Sequence, residues 1–406
     1  MDHGMYRYIL LPVVLVLFLA TSAQNPRDIL RGSYAKCLGI QSGTYHGVFQ
    51  DKYLMTTDTV HGAAGSIFER SPHDTVCAWK FHNRSYFQGR YMGDILYTGD
   101  CLVHFNALDS VGQSTSRERY PGHIKQLFGG AVIYGPFDPR HNSPFPADSV
   151  YGDTADVFDF LGYERVGCYD CYHIRLTESV PTTMSHQMER LKKVTDFWLN
   201  KLDSIPVQYT TFEKYVYKGD TTDEFRKQTL DAYQLNHLMD TVQLTLASIP
   251  VYCRLNEYAP EKPRELLPAG TDAPDWALRS TDNREIRLHD LKGHPILIDF
   301  FYKSCLPCID ALPVIEGLNE KYNTRGLLVM GLDSFDKNGK SLTDFLKDRN
   351  IRYPVMLDGA VTNDAYHVTR YPTLYLLDKE GRVLFSQVGV GADDEKKLDE
   401  LIRQNL

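Results

Sequence analysis

The chain has 406 residues, of which 43% are apolar and 24% are charged, and its formal net charge is −8. This length exceeds the roughly 100 to 200 residues of one domain, so two globular domains are expected. The mild acidic balance argues against nucleic acid as a partner, because such a partner requires a basic surface.

The first residues have the pattern of a secretory signal. Arg7 precedes an apolar segment over residues 8–20, and small residues follow at positions 21–23. This pattern predicts a signal peptide over residues 1–23 and export to the periplasm or cell envelope. The apolar segment is short for a membrane span, so an uncleaved anchor is the less favoured alternative.

Residues 24–255 have the composition of a β-rich domain. A helix is expected over residues 27–38, and weaker helical patterns occur over 189–196 and 223–230. Between turns of Gly, Asp, Asn and Pro, segments rich in Tyr, Phe, Val and Thr predict strands over 44–54, 75–81, 85–91, 94–105, 166–176, 195–199, 207–217 and 241–246. So many strands imply a mainly antiparallel sheet that curves to bury one face.

Residues 256–267 are predicted to be a linker, because they carry prolines and charges without periodicity. Strands and helices alternate over residues 268–406, which predicts an α/β domain with a mainly parallel centre. The expected strands cover 296–301, 327–333, 354–357, 373–378 and 383–388, and the expected helices cover 305–322, 341–348 and 394–404.

The most informative motif is Cys305-Leu306-Pro307-Cys308, which follows a buried strand and opens an amphipathic helix. A helix N-terminus carries partial positive charge and free N–H groups. This environment stabilises a thiolate and lowers the pKa of the first cysteine. Cys305 is therefore expected to be the exposed nucleophile of a reactive dithiol.

The surroundings of this motif resemble the thioredoxin fold, and residues 267–406 are similar to its exported TlpA/ResA branch. The resemblance rests on Asp299 in the preceding strand, Pro313 inside the helix, Tyr371-Pro372 before a later strand, and Gly389. The opening segments 272–276 and 286–293 also match this branch.

The resemblance implies a role for each of these residues. Cys305 attacks a substrate disulfide, Cys308 resolves the mixed disulfide, and Asp299, buried beneath Cys308, accepts its proton. Pro372 is implied to be a cis-proline, and Tyr371, Pro372 and Gly389 to bind substrate. No metal and no cofactor is expected.

The resulting hypothesis is an exported enzyme that reduces protein disulfides, with protein thiols and disulfides as partners and a membrane electron-relay protein as donor. Pro307 before the second cysteine favours a reductase over an oxidase. Ser304 and Phe301 depart from the family, which frequently has Trp at these positions. A peroxiredoxin-like peroxidase is an alternative, but Tyr302 stands where the peroxidatic motif needs Thr or Ser.

The remaining cysteines allow several interpretations. Cys168 and Cys171 form a second C-x-x-C motif in a predicted strand, where residues three apart face opposite sides. Disulfides among the six cysteines other than Cys305 and Cys308 are expected in an exported chain, with 15 pairings open. Zinc is less favoured because only three ligands, including His173, are local. Electron exchange between Cys168/Cys171 and Cys305/Cys308 is a further hypothesis.

The N-terminal domain resembles the half-barrel of the LolA and LolB lipoprotein carriers. The similarity lies in the opening helix, the hairpin-rich middle, 167–169, and 196–199 followed by 205–207. It implies a concave face that holds a hydrophobic ligand, and hence an alternative function as an envelope lipid- or protein-binding module with an accessory thioredoxin domain. The other interpretation is that the aromatic residues form an ordinary β core.

Overall fold

The structure is a computed structural model. It describes residues 25–56, 58–127, 133–138, 144–146, 155–179, 182–183, 188–217, 219–237, 240–260, 264–336, 339–391 and 394–406. The expected signal peptide lies outside these residues. Within them, no helix combines the length and apolar character needed to cross a membrane.

The N-terminal part consists almost entirely of strands. Its elements are α1 (Pro26–Leu38), β1 (Ser42–Lys52), β2 (Thr59–Arg70), β3 (Trp79–Phe87), β4 (Arg90–Tyr97), β5 (Cys101–Asn106), β6 (Val111–Ser116), α2 (Pro121–Leu127), β7 (Val157–Val166), β8 (Tyr169–Glu178), β9 (Thr182–Thr183), β10 (Met188–Asn200), β11 (Pro206–Tyr217), β12 (Asp220–Leu235) and β13 (Arg254–Glu257). The prediction of a β-rich first domain is confirmed.

These strands form one sheet in the order β13-β6-β5-β4-β3-β2-β1-β12-β11-β10-β8-β7, with β9 beside β10. All neighbours are antiparallel except β13 and β6. Tyr97 of β4 and Ile174 of β8 lie far apart in this order but share one hydrophobic core. The sheet therefore curls around that core.

The concave face of the sheet is filled by the chain itself. Helix α1 starts at Asn25, whose side chain accepts a hydrogen bond from the N–H of Arg27, and Pro26 suits the first helical position. Leu30 and Cys37 of α1 and Phe137 are fully buried in the core. The described side chains on this face thus form an ordinary core.

Several local predictions in this domain are wrong. Segments 85–91 and 94–105, each expected to be one strand, contain the β3–β4 and β4–β5 turns, and the strand expected over 75–81 begins only at Trp79. Segments 189–196 and 223–230, given weak helical patterns, belong to β10 and β12, where long-range pairing overrides local propensity. Segment 241–246, expected to be a strand, forms short 3₁₀ turns capped by Asp240 and Thr245. Residues 167 and 168 form the turn between β7 and β8 and so do not continue one strand.

The chain leaves the first sheet after β13 and enters the second core at Leu266 and Leu267. The C-terminal elements are β14 (Ala277–Arg279), β15 (Glu285–Arg287), β16 (Ile296–Phe301), α3 (Leu306–Tyr322), β17 (Leu328–Asp333), α4 (Gly339–Asp348), β18 (Val355–Met356), α5 (Ala360–Asn363), β19 (Thr373–Leu377), β20 (Val383–Val388) and α6 (Asp394–Asn405). Each strand and helix expected here is present.

The C-terminal sheet has the order β18-β17-β16-β19-β20. β16, β17 and β18 are parallel, whereas β19 and β20 are antiparallel to their neighbours. One face packs against α3, α4 and α6. The other packs against the β14–β15 hairpin and the region of Tyr366. This strand order and these strand directions are those of the expected thioredoxin-like fold, with β16 at its centre.

Candidate functional site

The dithiol lies where the buried central strand β16 passes into α3. All six residues of β16 are buried, and Cys305 caps the helix, its Sγ accepting a hydrogen bond from the N–H of Cys308 at 3.2 Å. Cys305 and Cys308 form a disulfide. Pro313 lies inside α3 as predicted. Both sulfurs thus stand at the positive end of a helix that favours a thiolate when the pair is reduced.

Asp299 lies on the side of β16 that faces the dithiol helix. Leu297 and Phe301 belong to the core beneath α3, and alternation along the strand gives Asp299 the same face. Its side chain is 1% exposed, and one carboxylate oxygen has no hydrogen-bond partner. Burial raises the pKa of Asp299 to about 7, although a hydrogen bond from the Tyr353 hydroxyl at 3.4 Å opposes this shift. The carboxyl is therefore poised to exchange protons near neutral pH.

The Tyr371–Pro372 peptide bond is cis, as the resemblance implied. The carbonyl of Pro372 accepts a hydrogen bond from the N–H of Gly389 at 2.7 Å. Gly389 has a positive φ of 79°, a conformation that favours glycine. The three residues predicted to bind substrate thus lie on two loops that this hydrogen bond joins.

An aromatic cluster flanks this loop. Tyr302, Phe335 and Tyr371 make edge-to-face contacts with ring centroids 5.0 to 5.5 Å apart. Asn363 donates a hydrogen bond to the Tyr371 hydroxyl at 2.5 Å. Phe335 is 60% exposed although it belongs to the cluster. In the sequence, Tyr302 stands out only as a departure from peroxiredoxins, and Phe335, which follows β17, belongs to no motif.

A buried charge cluster adjoins the dithiol and was also missed. Lys303 is 3% exposed, and its ammonium group contacts Asp336 at 3.0 Å, Ser341 at 2.8 Å and Asp58 of the N-terminal domain. Burial lowers the pKa of Lys303, but the two carboxylates outweigh it, so the pKa is raised overall. Burial and the neighbouring Asp336 raise the pKa of Asp333 to about 8.

The expected exposure of Cys305 is wrong. Cys305 is 4% exposed and Cys308 is 1% exposed. Both cysteines belong to the core of the C-terminal domain, and Lys303, Leu306 and Ile309 beside them contact the N-terminal domain. The site is therefore covered on the side of α3.

The expected disulfides among the other cysteines are not present, and all six thiols are free. Burial raises the pKa of Cys37 and Cys77, the latter to about 12, and raises that of Cys171 to about 11. Cys101 and Cys253 lie near opposite ends of β6, about 17 Å apart along the strand. A disulfide needs Cα atoms within about 7 Å.

Cys168 and Cys171 lie far from Cys305 and Cys308. Cys171 pairs with Asn200 at one end of β10, whereas Met188 at its other end packs beside Leu306. Twelve residues of extended strand span about 40 Å. Cys168 is exposed and Cys171 is buried. This separation rules out direct electron exchange between the two pairs in this arrangement.

Together, the fold, the disulfide at the helix start and the cis-proline define a thioredoxin-type dithiol domain. Residues 269–386 match the AhpC/TSA family. A thiol-disulfide oxidoreductase ResA of Bacillus cereus is 30% identical over 127 residues, which cover 31% of this chain and 73% of that protein.

Two further comparisons cover a similar share of the chain. The thioredoxin-like protein YneN of Bacillus subtilis strain 168 is 27% identical over 151 residues, 37% of this chain and 88% of that protein. The crystal structure of a putative DsbE from Chlorobium tepidum covers 34% of this chain and 98% of its own, with 28% identity and a TM-score of 0.32. Through its C-terminal domain the chain belongs to the ResA-like thiol-disulfide oxidoreductases.

Proposed function

We propose that the protein is an exported reductase of protein disulfides that acts through Cys305 and Cys308. The observation that carries this proposal is the Cys305–Cys308 disulfide at the N-terminus of α3, with buried Asp299 on the strand beneath. The apolar segment over residues 8–20 and the small residues that follow support export.

The reaction begins with the reduced enzyme. The Cys305 thiolate attacks one sulfur of the substrate disulfide, and the other substrate sulfur leaves as a thiolate. Cys308 then loses its proton, for which Asp299 is the acceptor, and its thiolate attacks the sulfur of Cys305. The Cys305–Cys308 disulfide forms while the second substrate sulfur leaves. Two electrons have passed from the enzyme dithiol to the substrate, which ends as a dithiol.

Tyr371, Pro372 and Gly389 are proposed to hold the substrate segment beside Cys305. The cis bond and the hydrogen bond from Gly389 fix this backbone next to the helix start. A second turnover requires a donor that reduces the enzyme disulfide. An electron-relay protein of the membrane fits an exported enzyme, because exported proteins meet an oxidising environment.

The direct test is the reduction of insulin disulfides by the reduced protein, followed as turbidity. We expect Cys305→Ser to abolish reduction, since no other described thiol stands at a helix start with a resolving partner. Cys101→Ser, which removes a half-buried free thiol far from the site, serves as the matched control and is expected to retain wild-type activity. A Cys305→Ser protein as active as the wild type would refute the proposal.

The alternative of a binding module has less support. The concave face of the N-terminal sheet is filled by Leu30, Cys37 and Phe137. A neighbouring cleft of about 200 Å³ is lined by charged residues that include Asp51, Glu213 and Arg226, which do not suit an acyl chain. A stoichiometric lipid copurifying with the full chain would instead favour a carrier of a hydrophobic ligand.

A further inference from the structure

The N-terminal domain packs directly against the dithiol helix. Leu306 and Ile309 of α3 contact a cluster at one end of the first sheet. Its members are Leu54, Met55, Met188, Tyr215 and Tyr217. Leu306 stands between the two active-site cysteines, so this contact reaches the dithiol motif itself.

Two polar pairs join the domains beside this apolar contact. The Tyr217 hydroxyl donates a hydrogen bond to Asp310, and the Lys303 ammonium pairs with Asp58. Lys303 is two residues before Cys305, and Asp310 is two residues after Cys308. We call Tyr217–Asp310 and Asp58–Lys303 the latch pairs. They bracket the dithiol motif from both sides along the chain.

The region of the aromatic cluster is more open than the face of α3 that meets the first domain. The cluster of Tyr302, Phe335 and Tyr371 lies beside the cis-proline, and Phe335 is 60% exposed. Pro307 is also exposed. A substrate can therefore approach Cys305 past the aromatic cluster, whereas the side of Leu306 and Ile309 is blocked by the first domain.

The contact is built so that it can open without unfolding either domain. Each domain has its own hydrophobic core. Beside the apolar contact lies a cleft of about 370 Å³ whose walls carry charged residues from both domains, including Lys52, Asp223, Asp348 and Arg349. Opening the contact would expose the apolar cluster around Met188 and Tyr217 but would leave the core of each domain intact.

We propose that the N-terminal domain is one wall of the active site and that the latch pairs restrict access to the Cys305 sulfur. In the closed form the site accepts small disulfides and cysteines on narrow, flexible segments. It excludes disulfides that lie on broad folded surfaces. Asp58 and Tyr217 are thus access-determining residues supplied by the first domain.

This inference rests on the proposed function for its biological meaning, but its test measures access alone. In the full chain with Cys308→Ser, the reduced Cys305 is labelled with iodoacetamide or with a polyethylene-glycol maleimide, and peptide mass spectrometry follows its modification. The double variant Asp58→Asn with Tyr217→Phe is compared with Asp231→Asn. Asp231 pairs with His46 at 2.8 Å within the first sheet and serves as the matched control.

Loss of the latch pairs is expected to raise the rate of polymer labelling at Cys305 about tenfold, with the iodoacetamide rate changing less than about twofold. The Asp231→Asn control should label like the parent. An unchanged polymer rate in the double variant would overturn the inference.

The exposed Cys168 supplies an internal reference within the same protein, so this comparison does not depend on the folding of a second variant. In the parent protein, the ratio of polymer to iodoacetamide labelling should be lower at Cys305 than at Cys168. Equal ratios at the two cysteines would also overturn the inference. Failure of insulin reduction with these labelling results intact would refute the reductase function and leave the access-limiting contact in place.

Discussion

At the scale of single residues, the chemistry depends on a carboxyl that the sheet removes from water. Asp299 is surrounded by the core beneath α3, where burial raises its pKa to about 7. Below this pH it is protonated and cannot accept the Cys308 proton; above it the carboxylate can. The rate of the resolving step should therefore rise as the pH increases through about 7.

Replacing Asp299 by Asn should remove this dependence, because Asn has a similar size but accepts no proton. We expect resolution of the mixed disulfide to slow by about 100-fold above neutral pH. Rapid-quench measurement of the mixed disulfide between the enzyme and a model substrate would show its accumulation. Glu320→Gln on α3, which removes the exposed ion pair of Glu320 with Arg352, is the control. A wild-type pH profile in Asp299→Asn would contradict the proposed base.

Some of these residues could be predicted and others could not, for a physical reason. The buried position of Asp299 and the cis bond at Pro372 both followed from the resemblance. Lys303 gave no such signal, since its partner Asp58 is 245 residues away in the chain. Phe335 and Tyr353 likewise acquire their roles only when separate strands meet.

At the scale of elements, local periodicity predicted the C-terminal strands and helices. Each helix there buries a regular stripe of apolar side chains, and each central strand buries a continuous run of them. The first domain was harder to predict. The 16 residues of β12 and the 13 residues of β10 alternate polar and apolar side chains irregularly, and their pairing partners decide their conformation. The β7–β8 turn was missed because Gly167 lies inside a run that otherwise reads as a strand.

The length of β10 makes a further prediction about the second C-x-x-C motif. Because about 40 Å of strand separates Cys171 from the dithiol end of the sheet, the double variant Cys168→Ser with Cys171→Ser should keep wild-type insulin reduction. Cys168→Ser alone should behave in the same way, and it avoids the cost of a polar group at the buried position of Cys171. Loss of turnover in the single variant, with Cys305 still reactive toward iodoacetamide, would show that the motif relays electrons.

At the scale of the whole molecule, the two domains are joined by more than a linker. The two-domain division followed from length and composition. The docking of β10 and β11 onto α3 did not, since no sequence pattern specifies which end of a sheet meets which helix. This docking sets the first domain against Leu306 between the two cysteines and against Lys303 before them, and the proposed restriction of access to Cys305 follows from it.

The account depends most on the direction of electron flow through Cys305 and Cys308. The most direct test is the reduction potential of this pair in the full chain, measured by equilibration with glutathione or dithiothreitol and mass-spectrometric detection of the two cysteines. We expect a value close to that of thioredoxin, about −270 mV, because Pro307 before the second cysteine favours a reductant. A value near about −120 mV, typical of a strong oxidant, would contradict the proposed reductase.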